Sequence, residues 1–241
     1  QTSLDAINQM VSRLSERQCI TRTVDIATGE MTLSEVDRFA HLQFSGEFDN
    51  EAIGEDTRLI QTYGPRHQLF LIGAGQVSMY LADFARALDY HVVVCDPRAE
   101  MIGQWPVEGA QLINDMPDDA VRAHADAFSA IIALTHDPRI DDMGLMEALK
   151  TDAFFIGAMG STRTSAKRRE RLKLLDLSDE EIARLHGPVG LPIGSKTPAE
   201  IAIAILGQLT ALRADAKPGL LNADFRPADV ATEKPAEVAA G

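Results

Sequence analysis

The chain has 241 residues, 45% hydrophobic and 24% charged, enough apolar mass for one sizeable core with a smaller appendage and a composition that excludes wholesale disorder. Its formal net charge of −13 at pH 7 excludes broad electrostatic capture of nucleic acid or of an anionic membrane, which needs a basic excess. Cys19 and Cys95 are too few for a disulfide framework or a zinc cluster, so no metal site is expected; no apolar run reaches the roughly 18 residues of a membrane span and no signal-peptide pattern opens the chain, which makes the cytoplasm the expected location.

Leu4, Ile7, Val11 and Leu14 recur at helical spacing and predict an amphipathic helix ending near Arg17. Residues 22–27 and 30–33 flank the Thr28-Gly29 turn signal and predict a hairpin, with residues 39–44 as a further strand and residues 45–56 as a loop. Gly64-Pro65 marks a boundary. The expected organisation is a small α+β region over residues 1–64, a Rossmann-like domain over residues 65–213 and a peripheral or disordered tail over residues 214–241, where Ala, Pro, Asp and Glu dominate.

Beyond that boundary strand and helix alternate. Residues 69–72, 91–95, 130–134 and 153–156 are short runs that are apolar throughout, the pattern of parallel strands covered on both faces. Val77, Leu81, Phe84, Ala85 and Leu88 trace one helical face after the first run, and residues 143–150 read as a helix between the third and fourth. Ser178 with Glu181, and Thr197-Pro198-Ala199-Glu200, both fit a capping box; the helix after Thr197 is apolar almost all round, which predicts burial. The fold class is therefore α/β, a mostly parallel Rossmann-like sheet with helices on both faces.

Four places could carry chemistry. Gly73-Ala74-Gly75-Gln76-Val77-Ser78 follows a strand and opens a helix, so Gly73 permits the tight turn while Gly75 and Gln76 let backbone approach a phosphate at the helix N-terminus. Ser78 stands where a third glycine is usual. Asp96 ends the second strand, close to the roughly 20-residue spacing of the carboxylate that holds a ribose hydroxyl, and Arg98 beside it leaves the choice of nucleotide open. The turn could equally be a tight βα connection that binds nothing. Thr135-His136-Asp137 follows the third apolar run, and His136 is a candidate acid, base or orienting group, or else part of a helix cap. Gly157, Gly160 and Ser161 belong to a second glycine turn, after which Arg163, Lys167, Arg168, Arg169, Arg171 and Lys173 face Glu170 alone; Arg163 and Lys167 fit an anion site, Arg169 and Lys173 a solvated face. Strand ends at Gly73, Asp96, Thr135 and Gly157 are expected to converge. The Gly- and Pro-rich residues 186–194 form an irregular loop, either a lid over that crevice or a packing element.

Residues 71–98, Thr135-His136-Asp137, the run 155–161 with Arg163, Lys167 and Arg168, and residues 186–194 continuing through Thr197-Pro198-Ala199-Glu200-Ile201 occur in this order. Together they resemble the C-terminal domain of the XdhC/CoxI family, maturation factors for xanthine dehydrogenase-type molybdenum hydroxylases. The resemblance implies a Rossmann-like domain that binds the molybdenum cofactor (molybdopterin), assists its sulfuration and inserts it into an apo molybdenum hydroxylase. It further implies a homodimer and a cysteine desulfurase among the partners. Gly73, Gly75 and Asp96 would form the nucleotide-like site, and Gly160, Ser161 and Arg163 the second turn. Gln76 and Ser78 depart from the family's turn, which reads closer to GAGHVG. Two alternatives use the same residues: an NAD(P)-dependent oxidoreductase with His136 as its proton donor or acceptor, and a nucleotide-binding sensor without turnover.

Overall fold

The computed structural model describes residues 3–36, 43–45, 48–49, 52–53 and 57–213. Cα packing divides the chain into two units, Gln1–Arg66 and His67–Gly241.

In the first unit, α1 (Ser3–Ser15) precedes β1 (Cys19–Asp25), β2 (Met31–Val36), β3 (Gln43–Ser45), β4 (Phe48–Asp49), β5 (Ala52–Ile53) and β6 (Arg58–Tyr63). The expected hairpin is present: β1 and β2 pair antiparallel around Gly29, whose φ of +72° suits glycine at the turn. β6 pairs with the other edge of β1, giving the sheet order β2-β1-β6-β3. Two expectations change. The strand expected over residues 39–44 lies mostly outside the described residues, of which 43–45 form β3, and the expected loop over 45–56 contains the paired two-residue strands β4 and β5. Helix α1 forms, yet Leu4, Ile7 and Val11 are exposed while Ala6 is buried, so the apolar stripe is not the face packed on β1.

The second unit is built from β7 (Gln68–Ile72), α2 (Gln76–Ala87), β8 (His91–Cys95), α3 (Ala99–Gly103), β9 (Gln111–Ile113), α4 (Pro117–His124), β10 (Ser129–Ala133), α5 (Pro138–Ala148), β11 (Phe155–Ala158), α6 (Thr162–Lys173), α7 (Asp179–Ala183), β12 (Leu185–His186) and α8 (Pro198–Arg213). The sheet order is β12-β11-β10-β7-β8-β9 with every pairing parallel. Numbered from β7 as the first strand, it runs 3-2-1-4-5-6, the doubly wound order whose direction reverses between the first and fourth strands.

The continuous apolar runs are explained by two cores. Leu69 and Leu71 of β7, Val92 and Val94 of β8, and Ala130 and Ile132 of β10 face α2 and α8. Phe70, Ile72, Val93, Cys95, Ile131 and Ala133 point the other way, against α4, α5 and α6. Both capping boxes form: the Ser178 and Glu181 side chains exchange hydrogen bonds with each other's backbone N–H, and Thr197 and Glu200 do likewise. Helix α8 departs from the expectation of complete burial, since it covers the sheet with Ala202, Ile205 and Leu209 while Ile203 stays exposed.

Candidate functional site

A cavity of about 320 Å3 opens beside the reversal point of the sheet, lined by Gly75, Gln76, Val77, Arg98, Met101, Leu134, Thr135, His136 and Pro198. The loops after β7, β8 and β10 and the start of α8 thus meet at the carboxyl ends of the strands, where doubly wound sheets bind ligands. Gly73, at φ +107°, turns the chain out of β7; a β-carbon there would lie 2.8 Å from Thr135 Cγ2. Gly75 serves as N-cap of α2 without a side-chain cap, and no atom lies within 4 Å of a β-carbon built on it. Gly75, Gln76 and Val77 at this uncapped start of α2 line the cavity, so a helix N-terminus whose first N–H groups lack intrahelical acceptors borders it, the arrangement that attracts a phosphate. Ser78, in place of the third glycine, donates its hydroxyl to the Gly73 carbonyl and closes the turn from within.

Asp96 does not offer its carboxylate to the cavity. It is fully buried, and its oxygens accept from Ala74 N–H (2.8 Å), Arg98 N–H (3.0 Å), Arg98 Nε (2.8 Å) and an Arg98 terminal nitrogen (2.7 Å). Burial works to raise its pKa, but the hydrogen bonds from Arg98 and Ala74 outweigh that and hold the carboxyl below its ordinary value. The residue expected to hold a ribose hydroxyl thus pins the glycine turn to Arg98, which is the charged group left on the cavity wall.

The Thr135-His136-Asp137 loop divides its roles. Asp137 caps α5 by accepting from Arg139 N–H, and His136, at φ +63°, stands exposed on the cavity wall. Thr135 is anchored beneath it: its N–H and hydroxyl both donate to Asp141 (3.0 and 2.7 Å). Asp141 in turn accepts from Arg168 at 2.9 Å, and Arg168 also donates to Asp142 (3.3 Å) and to the Met159 carbonyl (3.0 Å). Arg168, Asp141 and Asp142 are all buried, and burial raises the Asp141 pKa against the opposing bonds from Thr135 and Arg168. This network joins the two glycine turns through the core.

The second turn lies apart from the first. Gly157 sits within β11 rather than at its end, packed where a β-carbon would meet Val189 at 2.6 Å. Ser161 caps α6 by accepting from Thr164 N–H. Arg163 and Lys167 are exposed and line neither this cavity nor the larger one beside residues 186–195. Of the remaining basic residues, Arg171 pairs with Asp142 and Lys173 with Asp179, whereas Arg169, expected to be solvated, is half-buried and, among the described residues, donates only to the Leu185 and Gly187 carbonyls. Residues 186–194 are not a lid on the switch-point cavity; they wall the larger one, and the chain returns to the smaller only at Pro198. Of the residues lining this cavity, Gly75, Gln76, Arg98, Thr135 and His136 are those expected from the sequence, whereas Met101, Leu134 and Pro198 are not. Pro198 was legible as the first residue of a capped helix, without any signal that this helix begins at the crevice.

Residues 69–209 match the family model described as the XdhC Rossmann domain. The chain belongs to the XdhC family. It is 29% identical over 187 residues to the uncharacterized protein YqeB of Escherichia coli (strain K12), covering 71% of this chain and 33% of that one. It is 30% identical over 101 residues to the molybdenum cofactor insertion chaperone PaoD of the same organism (42% and 32% covered), and 27% identical over 156 residues to a probable xanthine dehydrogenase subunit of Bacillus subtilis (strain 168) (64% and 45%). This XdhC-family chain thus spans a third to under half of the length of these relatives. A crystal structure of a xanthine dehydrogenase from Bacillus halodurans has the same fold, with a TM-score of 0.67 at 23% identity over 88% of this chain and 67% of that one. Among the described residues no helix is long and apolar enough to cross a membrane.

Proposed function

We propose that this XdhC-family chain holds the phosphate-bearing end of the molybdenum cofactor at the Gly73–Ser78 turn and passes the cofactor to a xanthine dehydrogenase-type molybdenum hydroxylase. The observation that carries the reading is the cavity at the sheet's reversal point, where the uncapped N-terminus of α2 and Arg98 face the same space. Its size sits near the lower end of small-molecule pockets, about 300 Å3, and suits a phosphate and the group next to it. The relative named as a cofactor insertion chaperone supports the same reading.

In this mechanism the α2 N–H groups and Arg98 bind the phosphate, Thr135 fixes the opposite wall, and exposed His136 meets the remainder of the cargo or the client surface. Sulfuration would draw its sulfur from a partner such as a cysteine desulfurase. Both cysteines of this chain are buried, and burial pushes the Cys95 thiol up to about 12, so neither presents a thiolate able to carry a persulfide. The oxidoreductase alternative loses its ribose-holding carboxylate to Arg98.

The test is copurification and direct titration. Protein isolated from cells that make molybdopterin should carry it, and Arg98→Ala should weaken binding at least about tenfold, the worth of a charge-assisted hydrogen bond. Absence of bound pterin in the wild type, or unchanged affinity in the variant, would refute the assignment.

A further inference from the structure

The larger cavity, about 720 Å3, opens at the β12 edge of the parallel sheet, between α6, the loop 187–195 and α8, and shares no lining residue with the cavity at the reversal point. Arg169 stands in its wall. Two of its N–H groups are fixed by the carbonyls of Leu185 (2.7 Å) and Gly187 (3.3 Å), and among the described residues no carboxylate pairs with it. On the same helix Arg168 and Arg171 share Asp142 and Lys173 pairs with Asp179, while Arg163 and Lys167, also without a carboxylate among the described residues, are exposed and line neither cavity. A half-buried guanidinium in a cavity wall, held in place by two backbone carbonyls and without a counter-ion among the described residues, is a ready anion receptor.

The groups around it are suited to the same task. His186 is exposed over part of its surface, but its ring stacks on the buried Phe155 at 4.5 Å with an interplanar angle of 19°, which shields one ring face from water. Lost hydration and the Arg169 charge push its pKa down, so near neutrality it is an uncharged imidazole that can donate or accept one hydrogen bond. Gln208 accepts from Gly190 N–H at 2.7 Å, which fixes its amide and leaves the NH2 group as a donor. Behind Gly187, which lines the cavity, the buried Ser165 hydroxyl has no partner among the described residues; a β-carbon on Gly187 would lie 3.1 Å from it. The Leu185 and Leu191 side of the wall is apolar.

We propose that this cavity is a second ligand site, which takes a small organic anion, its charged end on Arg169 and its apolar or ring-shaped body against Leu185 and Leu191. The site is independent of the cofactor-holding reading, because the two cavities share no lining residue, and His136 in one and His186 in the other report on them separately.

These two imidazoles serve as reporters in a nuclear magnetic resonance titration of the full chain with phenyl phosphate, assigned through His136→Gln and His186→Gln. The His186 ring signals are expected to shift saturably, and its pKa to rise as the bound anion offsets Arg169. Benzyl alcohol, which keeps the ring and lacks the charge, should bind at least about tenfold more weakly. Arg169→Gln should weaken phenyl phosphate binding by about tenfold or more. Because Arg169 also fastens the loop, Thr162→Glu provides a second variant: Thr162 is exposed in the first helical turn of α6, where an acidic residue is well tolerated, and its charge at the rim should repel the anion to a similar extent. A His186 signal that does not respond, that responds as strongly to benzyl alcohol, or that responds unchanged in both variants would overturn the proposal. A response confined to His136 would do so as well, while leaving the cofactor site intact.

Discussion

Replacing Asp96 by alanine tests whether the carboxylate is structural. The side chain is fully buried and accepts four hydrogen bonds, one from Ala74 N–H and three from Arg98. Losing the charged acceptor of the Ala74 N–H, in the interior, costs about 2 kcal/mol. The Arg98 side chain is 39% exposed, so solvent screening limits its pair to about 1 kcal/mol. The expected loss is about 3 kcal/mol, read as a lowered midpoint with unchanged slope in urea unfolding followed by circular dichroism. Arg98→Ala leaves the buried carboxylate without its cation, but it opens that side to water and keeps the Ala74 N–H bond, so it should cost less than Asp96→Ala, about 1–2 kcal/mol. If Asp96→Ala loses less than about 1 kcal/mol, or the two variants lose equally, the carboxylate is not the pin of the glycine turn.

The two glycines of that turn should behave oppositely. Gly73→Ala meets both a φ of +107° and Thr135 at 2.8 Å, and should destabilise by about 2–4 kcal/mol in the same unfolding assay. Gly75→Ala meets nothing within 4 Å and should fold normally, yet its methyl group narrows the approach to α2 and should weaken phosphate-ester binding in a calorimetric titration. Arg168→Met leaves Asp141 and Asp142 without their buried partner and should cost about 3–5 kcal/mol in thermal or urea unfolding, far more than Lys173→Met at the exposed pair. Acid stability should also report Asp96. Its folded pKa lies below the unfolded value of about 3.9, so its contribution is complete above that pH and disappears as the pH falls through the lower folded value. The stability gap between wild type and Asp96→Asn should therefore narrow below about pH 4; a gap that stays constant would show that Asp96 does not titrate in that window.

The parts of the fold legible in the sequence are those whose signal is local. Runs such as Val92-Val93-Val94 are apolar at every position because both sheet faces are covered, and the glycine turn and capping boxes carry their own chemistry. Strand β9 escaped notice because Gln111 and Leu112 are exposed at the sheet edge, and β12 because two residues carry no period. Helix α5 begins five residues before the stretch expected to be helical, since Asp137 and Pro138 start it. At the site, Gly75, Arg98, Thr135 and His136 converge as strand-end reasoning requires, while Gly157 is held inside β11 by its ladder to β10. The basic stretch after Ser161 could not be interpreted from charge alone. Whether an arginine there binds a ligand or a core carboxylate depends on Asp141 and Asp142, which only the folded sheet brings beside Arg168 and Arg171.

The central claim is that the Gly73–Ser78 turn and Arg98 hold a phosphate-bearing cofactor. Its most direct test is a titration of the purified chain with molybdopterin, monitored at the His136 ring and repeated with Gly75→Ala and Arg98→Ala. The account predicts saturable one-site binding that shifts His136 and weakens about tenfold or more in each variant. Binding that leaves His136 unmoved, or that both variants retain at full strength, would contradict it.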